Sequence, residues 1–254
     1  MIKFHPHSLH NIMQGKFTDT TKKYICQLYD STERNVHYSI DSKYLEKGLK
    51  VEDESIDYFK KNIFGLPRNL EQKRKFDSYK KNTVTFENKY LIGTPDVLYK
   101  DKNINEKLGL IVNDHKNSFN RVTFLFSRAS PVIDAYYWQL QAYMYLTGAE
   151  DSNLVYCLMN TPLEIIEAEK RKLQYQFLTQ EQYEYEAENI ERMHNFDNLP
   201  VSERICIKNV PRNDHDIHLI KQKVIEANDW IEKYIKFNFK EKNEHLHENS
   251  AFEV

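Results

Sequence analysis

The 254-residue sequence predicts an α/β fold, a central mixed β-sheet flanked by helices, with extra helices at both ends. Three observations predict it. Two β-prone runs, 97–99 and 108–115, flank a polar turn at 100–107 and read as a β-hairpin with a long loop. A helical pattern over 132–147 ends at Gly148 and leads to an apolar run at 152–159. Such a strand–helix–strand passage requires a parallel crossover, so the sheet is mixed. Helical periodicity dominates before residue 63 and after residue 162.

Residues 1–40 read as a short extended start followed by helix, with Ser8 capping a turn and Thr20 or Thr21 capping a helix that contains Tyr24, Ile25 and Leu28. A helix over 43–63 follows. Its apolar positions Leu45, Leu49, Ile56, Phe59 and Ile63 fit one stripe, and Glu52 fills the gap in it. A carboxylate on a buried face costs free energy unless it is paired or binds a metal. A salt bridge to a lysine or arginine at the core edge is the plainer explanation; a second acidic cluster downstream favours the metal. An unpaired Glu52 would make its neutralisation stabilising.

Residues 60–81 carry eight Lys or Arg against two acids, either a solvated face or a surface that follows phosphates. Residues 83–92 are β-prone and run into Gly93, which predicts a third strand beside the hairpin. A short helix is expected around 121–126, and Pro131 suits the first turn of the next helix. There Ile133, Tyr137, Leu140 and Met144 form a core stripe, with Tyr136, Gln139 and Tyr143 on an adjoining one. Helices at 162–173 and 180–195, a strand-like piece at 203–209 and a helix over 213–236 complete a single domain spanning 1–238. The polar tail 239–254 lacks apolar periodicity and reads as frayed.

Composition narrows the function. A net charge of −2 supplies no global field for nucleic acid, so DNA binding would need a local basic surface. Cys26, Cys157 and Cys206 have no CxxC spacing, which points to a reducing compartment and away from zinc or iron–sulfur clusters. No apolar run reaches membrane-spanning length, and the first residues carry no signal-peptide core, so a cytoplasmic protein without membrane partners is expected.

The chemistry concentrates at the hairpin. Asp96 stands at the entry of its first strand and Asp114 and Lys116 at the exit of its second. Residues two apart in a strand share a face, so the Asp114 carboxylate and Lys116 ammonium point together. Two carboxylates and a lysine converging at a hairpin end suit a divalent metal and a phosphate. The same alternation turns the His115 ring away, toward packing or hydrogen bonding.

Taken in order, Gly48-x-x-x-Glu52, Gly93-Thr-Pro-Asp96, Asp114-His115-Lys116 and Gln139-x-x-x-Tyr143 resemble the four motifs of the PD-(D/E)xK nuclease superfamily. The nearest likeness is to its RecB-like and lambda-exonuclease (YqaJ-type) branch, the recombination exonucleases of phages, over residues 44–160. The resemblance implies a restriction-endonuclease-like core with about five strands. It also implies Mg²⁺-dependent (or Mn²⁺-dependent) exonucleolytic hydrolysis of DNA to 5′-phosphates and 3′-hydroxyls. By the same likeness Glu52, Asp96, Asp114 and the backbone carbonyl of His115 hold the metal. Lys116 is the catalytic lysine, and Gln139 and Tyr143 border the site. Lys73, Arg74, Lys75 and Arg121 are the candidate DNA contacts. An iron–sulfur cluster is not expected, because three cysteines cannot supply four ligands. Implied partners are DNA, further copies of the chain (lambda-type relatives form a trimer) and a single-strand annealing protein, in a phage-encoded enzyme acting inside a bacterial host. Asn113 and His115 depart from the pattern, since the family prefers apolar residues there. Two alternatives stand beside this reading: an endonuclease of the same superfamily, for restriction or branched DNA, and a catalytically silent nucleic-acid-binding protein. The second gains nothing from carboxylates clustered against phosphate.

Overall fold

The computed structural model describes residues 1–38, 42–102, 108–176 and 178–236. The turn 103–107 and the tail 239–254 lie outside the described residues. In chain order the elements are a 3-10 turn Pro6–Asn11, α1 Asp19–Arg34, α2 Lys43–Phe59, α3 Leu70–Ser78, β1 Phe86–Glu87, β2 Ile92–Gly93, β3 Val97–Lys102 and β4 Leu108–Asn117. Then come α4 Arg121–Ala129, α5 Asp134–Thr147, β5 Asp151–Cys157, α6 Leu163–Leu173, α7 Gln180–His194, β6 Ile205–Pro211 and α8 Asp214–Ile231.

The central sheet has the order β3-β4-β5-β6. The hairpin β3–β4 is antiparallel, β4 pairs with β5 in parallel through α4 and α5, and β6 closes the sheet antiparallel to β5. The mixed sheet flanked by helices is therefore present, with four strands among the described residues against the expected five or so. The β-prone stretch 83–92 does not join it. It folds into the small β1–β2 hairpin, turned by Asn88, whose Oδ1 accepts from the Tyr90 and Leu91 amides. Its outer edge is taken by the N-terminus: the Phe4 amide donates to the Tyr90 carbonyl and the Ile92 amide to the Phe4 carbonyl.

Alternation along β4 sends Val112, Asp114 and Lys116 to one face and Ile111, Asn113 and His115 to the other. The first face packs on α4 and α5 through Val112, Phe124, Leu140, Met144 and Leu154. The second packs on α2 through Val51, Ile56, Phe59, Tyr79 and Val155. A third core joins the N-terminal segment, α1, α5 and α8 around Phe4, Ile25, Ala142 and Val224. Among the described residues no helix is long and apolar enough to cross a membrane.

Local capping differs from expectation in places. Thr18, not Thr20 or Thr21, caps α1 by accepting from the Thr21 amide. Ile133 rather than Pro131 stands at the N-cap of α5, and Gly148 ends it in the left-handed region at φ 73°. The largest correction concerns α2. Leu45 and Leu49 are 53% and 64% exposed, while Lys47, Val51, Ser55, Ile56 and Phe59 are buried. The helix is rotated relative to its predicted apolar stripe, because the stripe is broken by buried Lys47 and Ser55. Glu52 consequently sits half-buried at a rim, not in the core.

Candidate active site

Asp114 is wholly buried near the C-terminal end of β4. Gln139, one helical turn before Tyr143 on α5, donates from Nε2 to Asp114 Oδ1 at 2.9 Å. Lys116 Nζ lies 2.6 Å from Asp114 Oδ2. Asp96, just before β3, accepts the backbone N–H of His115 on Oδ2 at 2.7 Å. That amide stands where β4 runs past the end of β3, so a carboxylate replaces the missing strand partner. Tyr143 donates from its hydroxyl to the Thr94 carbonyl at 3.1 Å, steadying the segment that presents Asp96.

Electrostatics follow from burial and crowding. Burial, then the Asp114 charge, raises Asp96 to about 8, against the opposing pull of Lys116 and the His115 amide. Burial also raises Asp114, countered by Lys116. For Lys116 burial opposes the charge, but the Asp114 and Asp96 carboxylates outweigh it and raise its pKa. With both carboxylates ionised the pair would outweigh the single Lys116 ammonium, so without a further cation Asp96 keeps its proton up to about pH 8. Asp96 and Asp114 carry hard oxygen donors of the kind Mg²⁺ or Mn²⁺ take. Glu52 lines the same cleft, of about 470 Å³, with Asp96 and Lys116. Its carboxylate is engaged by Lys81 at 3.0 Å, the ammonium also meeting Asp53 at 2.7 Å. Among the described residues no three His, Cys, Asp or Glu side chains are grouped closely enough to hold a metal.

Two exonucleases of known structure share this architecture. A phage-related exonuclease from Haemophilus somnus 129PT superposes with a TM-score of 0.63 at 21% identity, over 92% of this chain and 95% of that one. The alkaline exonuclease LHK-Exo from Laribacter hongkongensis gives 0.59 at 14% identity, over 96% of this chain and 94% of that one. Its complex with dAMP gives 0.58. The chain shares the fold of these exonucleases. No family model and no curated relative matches its sequence.

Within that fold, the structure brings together Asp96, Asp114, Lys116, Gln139 and Tyr143, with Glu52 across the cleft. The His115 ring points to the opposite face of the sheet, where its Nε2 meets the Tyr79 hydroxyl at 2.7 Å and Phe59 lies edge-on at 5.5 Å. Burial, then Lys116, lowers its pKa to about 3, so the ring is neutral. The candidate DNA contacts are dispersed. Lys73 and Arg74 are exposed on α3, Lys75 pairs with Asp101 at 2.6 Å, and Arg121 pairs with Glu203 on the α4 side.

The Tyr136 ring, on the helix stripe that the sequence assigns to Tyr136, Gln139 and Tyr143, lies 5.0 Å from Lys116 Nζ and lines the cleft. Sequence reasoning missed other neighbours of the site. Lys81, the partner of Glu52, sits in a basic run that gives no sign of this pairing. Leu45 and Leu49 open onto the cleft. The N-terminal turn also approaches: the Lys116 charge, after burial and His5, is among the causes that lower the pKa of His7. No pattern in the first ten residues could have announced that.

Proposed function

We propose that the chain is a metal-dependent DNA exonuclease that hydrolyses phosphodiester bonds to 5′-phosphates, in phage-type recombination or DNA end processing. The observation that carries the reading is the placement of Asp96, Asp114 and Lys116 at the exposed end of a buried hairpin. Exonucleases of the same fold support it. Asp96, Asp114 and the His115 carbonyl, with Glu52 at the rim, would hold Mg²⁺ or Mn²⁺. When bound, such an ion polarises the phosphoryl group, acidifies a coordinated water and neutralises the leaving oxygen.

The chain's own residues do the rest. Gln139 fixes the Asp114 carboxylate, leaving Oδ2 turned to Lys116. Lys116 stays protonated beside two carboxylates, so its role is to stabilise developing negative charge on phosphate rather than to act as base. Tyr136 beneath its ammonium keeps Lys116 in the cleft. Asp96, whose pKa its surroundings raise to about 8, would have to give up its proton for the pair to hold a cation. Assembly into a ring of copies, DNA contacts at Lys73, Arg74, Lys75 and Arg121, and a single-strand annealing partner belong to the same reading.

Linear and closed circular duplex DNA, each incubated with Mg²⁺ and with EDTA, provide the test. Mg²⁺-dependent loss of the linear form alone is expected. Nicked circles would assign an endonuclease, and no reaction the silent protein. Asp96→Asn, Asp114→Asn and Lys116→Ala should each lower cleavage by at least about 10²-fold while far-UV circular dichroism is unchanged. Near-normal activity in any of the three would overturn the site.

A further inference from the structure

On the sheet face opposite Asp114 and Lys116, polar side chains form one hydrogen-bonded row. Asn113, Asn153 and Asn209 are register partners across β4, β5 and β6. Asn209 Nδ2 lies 3.2 Å from Asn153 Oδ1, Asn153 Nδ2 lies 3.0 Å from Asn113 Oδ1, and Asn113 Nδ2 lies 2.9 Å from the Tyr79 hydroxyl. The row ends at the 2.7 Å contact between that hydroxyl and His115 Nε2. Tyr79, Asn113 and His115 are all buried.

The direction of this row is decided at its far end. The Asn209 amide nitrogen also lies 2.9 Å from Asp151 Oδ1 and 3.2 Å from the Ser152 carbonyl oxygen. A backbone carbonyl only accepts, so the nitrogen and not the oxygen of Asn209 must face Ser152. Each further amide is then oriented in turn, and Asn113 donates to Tyr79. If Tyr79 donates to His115 Nε2, the one group left without a partner is the buried Nδ1–H. If instead Nε2–H donated to Tyr79, both the phenolic hydrogen and the Nδ1 lone pair would be orphaned. Buried orphans are costly, so the first arrangement wins.

We infer that this row holds His115 as the Nδ1–H tautomer and makes Tyr79 a positioning residue for the carboxylate pair, acting through His115. The ring is gripped by Tyr79 from one side and Phe59 from another. A fixed ring fixes the rotation of the β4 backbone at His115, whose amide holds Asp96 and whose neighbours are Asp114 and Lys116. Holding a ligand's support from behind is a recurrent way to tune metal affinity. What the pair binds rests on the proposed function; the tautomer and the row do not.

The experiment uses the full chain with ¹⁵N-labelled histidine. In the wild-type protein the His115 ring should carry its proton on Nδ1; a proton on Nε2 would overturn the inference whatever the enzyme cuts. Tyr79→Phe should introduce the Nε2–H form and weaken Mn²⁺ binding, measured by calorimetry, by about 10-fold. A variant of lower melting temperature with wild-type Mn²⁺ affinity would make the row merely structural. Should Tyr79→Phe fail to fold, Asn209→Ala removes the group that sets direction and should populate the second tautomer; an unchanged spectrum refutes the relay. A wild-type chain that binds no Mn²⁺, or binds it without cutting DNA, would sink the nuclease reading while the spectrum still decides the row.

Discussion

Lys47 offers a prediction whose size can be worked out. It lies on the buried face of α2, fully covered, and donates to the Phe119 carbonyl at 2.8 Å. Its ammonium is 5.8 Å and 5.4 Å from the Phe119 and Phe196 ring centres, with no carboxylate partner among the described residues. Burial, then the Arg204 charge, lowers its pKa from 10.5 to about 7. That displacement corresponds to about 5 kcal/mol of destabilisation at full effect. The sign follows from proton counting. Below pH 7 both folded and unfolded chains carry the proton, so the cost is full and flat. Between about 7 and 10.5 the folded chain has released it while the unfolded chain has not, so stability climbs with pH. Lys47→Met removes the charge at similar length but leaves the Phe119 carbonyl without a donor, a loss of about 1–3 kcal/mol. The variant should therefore be more stable than wild type by about 2–4 kcal/mol at pH 6.5. The advantage should shrink with rising pH, vanish between about pH 8 and 10 and then reverse, because the lost hydrogen bond to the Phe119 carbonyl does not depend on pH. Urea unfolding of both proteins at pH 6.5, 8 and 9.5 measures it, since groups that do not feel the Lys47 charge titrate alike in the two and His194, whose pKa that charge helps to lower, is largely neutral from pH 8 upward. A variant less stable at pH 6.5, or a difference independent of pH, would refute the argument.

Other outcomes follow from the site and its walls. Glu52→Gln breaks a partly exposed ion pair with Lys81, so the metal-free protein should lose about 0–1 kcal/mol and not gain stability. A clearly raised melting temperature would restore the unpaired-carboxylate view. Because the folded pKa of Asp96 is raised to about 8, the metal-free protein should lose stability as pH rises from about 4 to 8. Urea midpoints in EDTA should show this slope, Asp96→Asn should flatten it, and an unchanged slope in the variant would reject the assignment. In Gly93→Ala the new Cβ would stand 2.7 Å from Pro6 Cδ and 3.1 Å from Tyr143 Cε1. A cost of about 1–3 kcal/mol is expected, with a parallel fall in cleavage as the Thr94–Asp96 segment shifts. A thermal melt at wild-type temperature would show that the N-terminal turn is not seated there.

What could be read in advance divides by the range of the interactions that decide it. Asp114 and Lys116 share a face because of a period of two within one strand, a purely local rule. The parallel crossover from β4 to β5 was legible because α5 has a sharp end at Gly148. Glu52 was singled out through an apolar stripe that does not face the core. Leu45, Leu49 and Glu52 do share a helix side, but that side borders the cleft, and the core takes Lys47, Val51 and Ile56. Periodicity reports which residues share a face; it does not say what the face meets. The same limit hid the true place of 83–92, whose β-propensity is satisfied by Phe4 from the other end of the domain. Long-range pairings such as Ile2 with Asn228 leave no local trace. Asn113, Asn153 and Asn209 are the sharpest case. Each taken singly reads as a surface residue, and Asn113 looked like a departure from the apolar pattern of its strand. Only the sheet register sets them side by side, where each amide supplies what the next one lacks, and the polarity of Asn113 becomes tolerable inside the core while Asn209 reaches the surface.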